Sequence, residues 1–118
     1  MKTLIVSLMM VAATGCSAQT IAQVRAEIER QGLPHPDIVL AQARLETGNF
    51  TSRMCKDKRN LFGIKHNGRY ARYARWQDSI KDYKKHISSR YNGGDYYAFL
   101  RRIGYAADGK YITKLKQF

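Results

Sequence analysis

The sequence predicts a mainly α-helical α+β domain with about five short helices and one small β-hairpin. Apolar residues recur at helical spacing in several short segments, and glycine, proline, asparagine and aspartate separate those segments. The pair Asn67-Gly68, between two runs that contain apolar and aromatic residues, is a strong signal for a hairpin turn. Hydrophobic residues make up 44% of the 118 residues, which is enough for one packed core and excludes a wholly disordered chain.

Residues 1–18 have the features of a signal peptide. A positive start is followed by an almost unbroken apolar run at 4–13, which is too short to span a bilayer, and then by small residues. A buried N-terminal helix is the weaker alternative, because the run has no cap. The lipoprotein pattern predicts lipidation of Cys16, which would anchor the chain to a membrane, whereas cleavage after Ala18 would release it. Either route exports the predicted domain, residues 19–118, to the periplasm, the cell envelope or the medium.

Two helices are predicted in the first half of this domain. Thr20 can cap the first helix, which ends near Gly32. The second begins after Pro36, has Asp37 in its first turn, and stops at 47–49. Their inward-facing residues are predicted to be Ile21, Val24, Ile28, Ile38, Ala41 and Leu45.

The second half of the domain is predicted to contain the hairpin and three helices. Residues 61–65 and 69–73 flank the Asn-Gly turn as the two strands. Asp78 is predicted to cap the third helix, Asp95 to start the fourth and Asp108 to open the last. Their inward-facing residues are predicted to be Ile80, Tyr83, Ile87, Tyr91, Tyr96, Phe99, Leu100, Ile103, Tyr111, Ile112 and Leu115.

The positive charge of the chain favours anionic partners but does not identify which one it binds. It has 21 Lys+Arg against 9 Asp+Glu, a formal net charge of +12, which would attract phosphates, anionic lipid or an anionic polymer such as a bacterial cell wall. Two cysteines cannot build a disulfide scaffold, and three histidines without ligand spacing argue against a zinc site. No metal or organic cofactor is therefore predicted.

One carboxylate stands out by its position. Glu46 is the only glutamate after the first predicted helix, and it lies at the end of an apolar helix beside a tight turn. Partial burial there, together with the negative end of the helix dipole, would raise its pKa. A protonated carboxyl near neutral pH is what a general acid for glycoside cleavage requires. From the local pattern alone, a surface glutamate or one bonded to the next loop remains the alternative.

Four motifs occur in order along the chain: QARLETGNF at 42–50, NLFGIK at 60–65, WQDSIKDY at 76–83, and GYAAD at 104–108, followed by Tyr111. In these motifs the sequence resembles the glucosaminidase family of peptidoglycan hydrolases, glycoside hydrolase family 73. The resemblance implies a lysozyme-like fold with a glycan cleft between a helical lobe and a small β lobe. It also implies hydrolysis of the β-1,4 bond after N-acetylglucosamine in peptidoglycan, with Glu46 as the general acid.

The same resemblance suggests residues that contact the glycan. Phe62, Tyr73 and Tyr111 occupy the motif positions of aromatic residues along the groove, where aromatic rings can stack on sugar rings. Core packing is the alternative, above all for Phe62. Asn60 is a candidate substrate contact and, alternatively, a residue that bridges the two lobes.

A second catalytic carboxylate is harder to identify. Glycosidases normally use two, yet the segment 66–75, where some family members carry the second, contains no acid. The nearby candidates are Asp57, Asp78 and Asp82, and Asp82 is the best of them because it aligns with the family's Asp-Tyr pair. Structural support is the alternative for Asp82. The substrate's own acetamido oxygen could also supply the second group.

Two further functions fit the same residues. One is a lysozyme or lytic transglycosylase on the same fold, and the other is a non-catalytic module that binds cell-wall glycan. A specific nucleic-acid partner is not expected, because the chain is predicted to be exported and carries no known binding motif. Peptidoglycan glycan strands are the predicted partner, and the protein is expected to act as a monomer.

Overall fold

The computed structural model describes residues 19–106 and 108–118, so the predicted signal peptide and Cys16 lie outside the described residues. Over this part of the chain, six α-helices, one 3-10 helix and one two-stranded hairpin confirm the mainly helical, lysozyme-like prediction. The elements in chain order are α1 (Ile21–Arg30), α2 (Pro36–Thr47), α3 (Arg53–Lys58), β1 (Lys65–His66), β2 (Arg69–Tyr70), α4 (Trp76–His86), the 3-10 helix (Ser88–Arg90), α5 (Tyr96–Arg102) and α6 (Tyr111–Leu115).

Helix α1 begins as predicted. The Thr20 hydroxyl accepts a hydrogen bond from the Gln23 amide at 3.0 Å, and the Gln23 side-chain oxygen accepts one from the Thr20 amide at 2.9 Å. This reciprocal pair is a capping box. Val24 and Ile28 are fully buried, but the inward position predicted for Ile21 is wrong: it is 41% exposed in the first turn.

Helix α2 lies in the centre of the domain and packs against α1 and α6. More of its surface is buried than the predicted stripe contains, because neighbours cover several sides of it. Its buried residues are Val39, Leu40, Ala41, Gln42, Ala43 and Thr47, whereas Ile38 and Leu45 are half-buried. Glu46 therefore lies in the last turn of a helix that is mostly buried.

Helix α3 was not expected from the sequence. It has six residues, four of them charged, and Cys55 is its one buried residue, so it shows no hydrophobic periodicity. Its N-cap is Ser52, whose hydroxyl accepts from the Cys55 amide at 3.1 Å. The Cys55 thiol packs in the core and accepts a hydrogen bond from the Gln19 side chain at 3.4 Å.

The hairpin forms at the predicted turn, but its strands are shorter than predicted. Each strand has two residues, with Lys65 opposite Tyr70 and His66 opposite Arg69. Asn67 and Gly68 both have positive φ, 55° and 77°, which is the geometry of a two-residue type I′ turn.

Helix α4 begins earlier than predicted, and the predicted cap at Asp78 is wrong. Arg75 is the N-cap, Trp76 is the first helical residue, and Asp78 lies in the first turn. There Asp78 pairs with Arg75 at 3.5 Å and faces the positive end of the helix dipole. Trp76 is half-buried against the core. The helix ends at His86, so Tyr91, predicted to lie on it, follows the 3-10 helix instead.

The last two helices agree with the prediction. The Asp95 carboxylate caps α5 by accepting from the Tyr97 amide at 2.9 Å. Asp108 precedes α6 and accepts from the Lys110 amide at 2.8 Å. The predicted core residues Tyr96, Phe99, Leu100, Tyr111, Ile112 and Leu115 are all buried, and Ile103 is half-buried. None of the helices in the described part of the chain is both long and apolar enough to cross a membrane.

Candidate active site

A cleft of about 410 Å³ opens between the end of α2, the hairpin, the end of α4 and the chain that follows α5. Four short stretches of sequence that are far apart along the chain form its walls. The lining residues are Glu46, Phe62, Gly63, Ile64, Lys65, His66, His86, Ile87, Arg90, Ile103, Gly104 and Tyr105. Within this lining, Glu46 is the one carboxylate.

Glu46 is half-buried in the last turn of α2. Burial raises the pKa of its carboxyl group, and a hydrogen bond from the Tyr111 hydroxyl offsets only part of that rise. Gly63 approaches it closely: a Cβ atom at Gly63 would lie 3.4 Å from Glu46 Oε1. Glu46 therefore holds its proton to a higher pH than an ordinary glutamate does, as a proton donor must.

The residues that follow Glu46 fix the end of α2. The Thr47 hydroxyl donates to the Ala43 carbonyl at 2.7 Å and accepts from the Phe50 amide at 2.8 Å. Thr47 is fully buried, so both hydrogen bonds are shielded from water. The threonine of the LETG motif thus ends the helix and turns the chain, which holds Glu46 in place.

A buried network of polar side chains reaches the site from the core. The Gln42 amide nitrogen donates to the Tyr111 hydroxyl at 3.2 Å, and the Tyr83 hydroxyl donates to the Gln42 oxygen. The Tyr83 and Tyr96 hydroxyls lie 2.7 Å apart. Burial raises the pKa of the Tyr111 hydroxyl, so it stays a proton donor toward Glu46.

Of the predicted substrate contacts, Phe62 belongs to the lining of the cleft, whereas Asn60 and Tyr111 do not. Asn60 is fully buried, and both ends of its amide bond the backbone: Nδ2 donates to the carbonyls of Ile64 at 2.9 Å and Ala71 at 3.0 Å, and Oδ1 accepts from the Ile64 amide at 3.1 Å. Asn60 thus closes the base of the hairpin. Phe62 is 2% exposed, and its ring packs 4.5 Å from the ring of Tyr83.

Tyr73 and Asp82 contact each other and do not belong to the cleft lining. The Tyr73 hydroxyl donates to Asp82 Oδ2 at 2.5 Å. His66 Nε2 lies 2.8 Å from Asp82 Oδ2, and His86 Nδ1 lies 2.6 Å from Oδ1. Burial raises the pKa of Asp82, but these hydrogen bonds together outweigh it, and the net shift is downward. Asp82 is therefore an ionised acceptor that holds two histidines of the cleft wall.

His66, His86 and Tyr105 are among the cleft-lining residues that the sequence does not single out as site residues. His66 and His86 come from β1 and from the end of α4, and only the Asp82–His86 spacing of four residues within a helix hinted at their meeting. Tyr105 donates to the Phe62 carbonyl at 3.4 Å and is half-buried at the cleft, although it was visible only as part of the GYAAD motif. Its ring lies 5.6 Å from the ring of Tyr111.

Comparison with known proteins gives one family. The family model named Glucosaminidase, described as mannosyl-glycoprotein endo-beta-N-acetylglucosaminidase, matches residues 21–118. This range starts at the first residue of α1 and includes every residue that lines the cleft. Neither the curated proteins nor the solved structures contain a match.

Proposed function

This chain belongs to the glucosaminidase family, and we propose that it is an exported peptidoglycan hydrolase with Glu46 as its proton donor. The proposed reaction is that of an endo-β-N-acetylglucosaminidase, which cleaves the β-1,4 bond after N-acetylglucosamine within a glycan strand. The observation that carries the proposal is the single carboxyl group of the cleft, half-buried and with a raised pKa. A cell wall is anionic, which suits a chain with a formal net charge of +12.

In the first step, the proton of Glu46 moves to the glycosidic oxygen as the bond from that oxygen to the anomeric carbon breaks. We assign the second role to the substrate, because no other carboxylate lines the cleft among the described residues. The oxygen of the 2-acetamido group bonds to the anomeric carbon and stabilises the positive charge. Water then attacks this carbon and gives a proton to the Glu46 carboxylate, and the acetamido oxygen leaves. Two displacements retain the β configuration.

Asp82 has a positioning role in this mechanism. Three hydrogen-bond partners hold its carboxylate, and its lowered pKa keeps it ionised, so it is suited neither to donate a proton nor to move toward the sugar. It anchors Tyr73 from the chain after β2 and two histidines of the cleft wall.

The test is incubation of purified protein with peptidoglycan sacculi, followed by mass analysis of the soluble fragments. We expect fragments that end in reducing N-acetylglucosamine, and a rate at least about 100-fold lower for Glu46→Gln. Glu29→Gln is the matched control, because Glu29 is an exposed glutamate of α1 that pairs with Arg25.

Other products would indicate other functions. Reducing or anhydro ends of N-acetylmuramic acid would identify a lysozyme or a lytic transglycosylase. Retention on sacculi without any fragments would identify a glycan-binding module. Full activity of Glu46→Gln would remove Glu46 from the mechanism.

The configuration of the first product tests the role of the acetamido group separately. Proton NMR of fresh digests should show the β anomer before mutarotation. An α anomer would mean direct attack by water, and would overturn acetamido participation while leaving Glu46 as the acid.

Export and anchoring are part of the proposal. The support is the pattern of residues 1–18, which includes Cys16 as the candidate lipidation site. The mass of the protein recovered from cells distinguishes a lipid-modified chain beginning at Cys16 from a released chain beginning at Gln19. An intact leader on cytoplasmic protein would contradict export.

A further inference from the structure

Three side chains with metal-ligand atoms meet beside the cleft: His66 and His86, which line it, and Asp82 behind them. His66, Asp82 and His86 each offer one ligand atom, and these atoms all lie within 4.8 Å of one another. The two imidazole nitrogens contact different oxygens of the Asp82 carboxylate, at 2.8 Å and 2.6 Å. The carboxylate is thus placed between two imidazole rings whose centroids are 5.4 Å apart.

Folding brings this group together. His66 lies on β1, next to the type I′ turn, whereas Asp82 and His86 are one turn apart on α4. The Tyr73 hydroxyl donates to Asp82 Oδ2 and orients the carboxylate, as outer partners of metal ligands commonly do. Asp82 is only 14% exposed, but the two histidine side chains are 47% and 51% exposed, so an ion in solvent can reach them.

The donor set fits a borderline divalent cation. Imidazole nitrogens with one carboxylate suit Zn²⁺ and its neighbours Ni²⁺ and Cu²⁺, rather than Mg²⁺ or Ca²⁺, which prefer oxygen ligands. With metal–nitrogen bonds of about 2.0–2.1 Å, two ligands of a tetrahedral ion lie about 3.4 Å apart. The ligand atoms here lie up to 4.8 Å apart, so the half-exposed imidazole side chains must turn inward when the ion binds.

We propose that His66, Asp82 and His86 form a binding site for one divalent cation of the Zn²⁺ class. The ion binds at the two imidazole nitrogens that contact Asp82, and a proton on either nitrogen moves to the other nitrogen of its ring or to water. Three protein ligands leave further coordination positions for water or for an anionic or hydroxyl group of a bound molecule. The site does not depend on Glu46, so it stands or falls separately from the proposed hydrolase activity.

Calorimetric titration of Zn²⁺ into untagged, chelator-treated protein tests the site. We expect saturation at one ion per molecule, and a loss of affinity of at least about tenfold for His66→Gln and for His86→Gln. Tyr73→Phe should weaken binding by a similar factor, because Asp82 Oδ2 would lose the hydrogen bond that orients the carboxylate. Glu46→Gln and Asp57→Asn should bind as the unmodified protein does, because Asp57 is an exposed carboxylate that pairs with Arg53 on α3.

A second measurement separates loss of a ligand from loss of the fold. Co²⁺ titration followed by visible absorption should give bands of a low-coordinate ion, absent in His66→Gln, while circular dichroism of that variant stays unchanged. No saturable binding up to about 1 mM Zn²⁺ would overturn the proposal and leave the group as a hydrogen-bonded cluster. Unchanged affinity in both histidine variants would overturn it as well, by placing the ion elsewhere.

Discussion

At the scale of the residue, the carboxyl group of Glu46 combines two environments. It is half-buried beside Gly63 and accepts a hydrogen bond from the Tyr111 hydroxyl, while the cleft leaves one side open to a ligand. Burial is the larger influence on its pKa, so the neutral form is favoured in the folded protein. The position that suits a proton donor is therefore also one in which the charged form destabilises the fold.

This environment gives a pH-dependent difference between the protein and Glu46→Gln. The folded pKa lies above the unfolded value of about 4.5, so folding is favoured by the protonated form. That contribution is complete below the unfolded pKa and is lost as the pH rises through the folded pKa. We expect the variant to be relatively more stable above this window than below it.

Urea unfolding of both proteins at a series of pH values measures the difference. The free energies of unfolding of the two proteins should diverge as the pH rises from the unfolded to the folded pKa of Glu46. Above that range their difference should stay constant. Glu29→Gln should show no comparable divergence, because its carboxyl group is exposed. A difference between Glu46→Gln and the unmodified protein that is independent of pH would contradict the prediction.

At the scale of the element, the base of the hairpin joins it to the rest of the domain. Its four strand residues are all exposed. Below them, the Ala71 amide donates to the Ile64 carbonyl at 2.8 Å, and Asn60 Nδ2 donates to the carbonyls of both arms. Gly63 lies in the arm that faces the acid, whereas Gly68 lies at the exposed tip. A substitution at either glycine strains the backbone, but only a substitution at Gly63 also adds a contact with Glu46.

Gly63→Ala and Gly68→Ala form a matched pair. Both glycines have positive φ, 66° and 77°, so each alanine costs about 1–2 kcal/mol of strain. Only at Gly63 does the new methyl group meet Glu46 Oε1, at 3.4 Å, and Met54 Cε, at 3.7 Å; nothing lies within 4 Å at Gly68. We expect similar losses of stability, but a loss of glycan cleavage in Gly63→Ala alone.

Thermal unfolding and initial rates of fragment release from sacculi provide the two readouts. Equal rates for both alanine variants would mean that Gly63 has no special relation to the acid. A rate loss confined to Gly68→Ala would assign the sensitive position to the tip of the hairpin instead.

At the scale of the whole molecule, one polar network links the helices behind the cleft. Gln42 on α2 bonds Tyr83 on α4 and Tyr111 on α6, and Tyr83 reaches Tyr96 on α5. All four residues are buried, so their polar groups lose their hydrogen bonds to water on folding. The hydrogen bonds of the network replace those bonds. The network therefore fixes the helices relative to Glu46 through Tyr111.

Replacement of Gln42 by Met keeps a long unbranched side chain of similar shape but removes both hydrogen bonds. We expect a loss of about 1–3 kcal/mol in the free energy of unfolding, because buried hydroxyl groups lose a partner. Gln117→Met, at the exposed C-terminal end, should cost little. Urea unfolding compares the two variants, and an equal small effect of both would show that the network contributes little to stability.

Local signals in the sequence predicted the parts of the fold that local interactions decide. Thr20 and Asp95 cap their helices through bonds within three residues of sequence, and the Asn-Gly pair makes the turn by its own backbone preference. Glu46 was found through its motif and its place at a helix end.

The remaining features depend on contacts between distant segments. The first turn of α1 leaves Ile21 outside the core, and Asn60 bonds both arms of the hairpin through partners that follow it by four and eleven residues. The meeting of His66 with His86 requires β1 to lie over α4, which no spacing along the chain reveals. Local patterns carry no information about such distances.

Trp76 gives this domain an optical reporter in a useful place. It is the single tryptophan of the chain, and it is half-buried at the first residue of α4, the helix that carries Asp82 and His86. The eight tyrosines, in contrast, include the buried Tyr83, Tyr96 and Tyr111. Indole emission can be excited apart from the phenols, so it follows the docking of α4, while far-ultraviolet circular dichroism follows the helices together. Coincident melting curves from the two signals would show that this wall of the cleft opens only when the whole domain unfolds. An earlier change in the indole signal would reveal a separate opening of the wall.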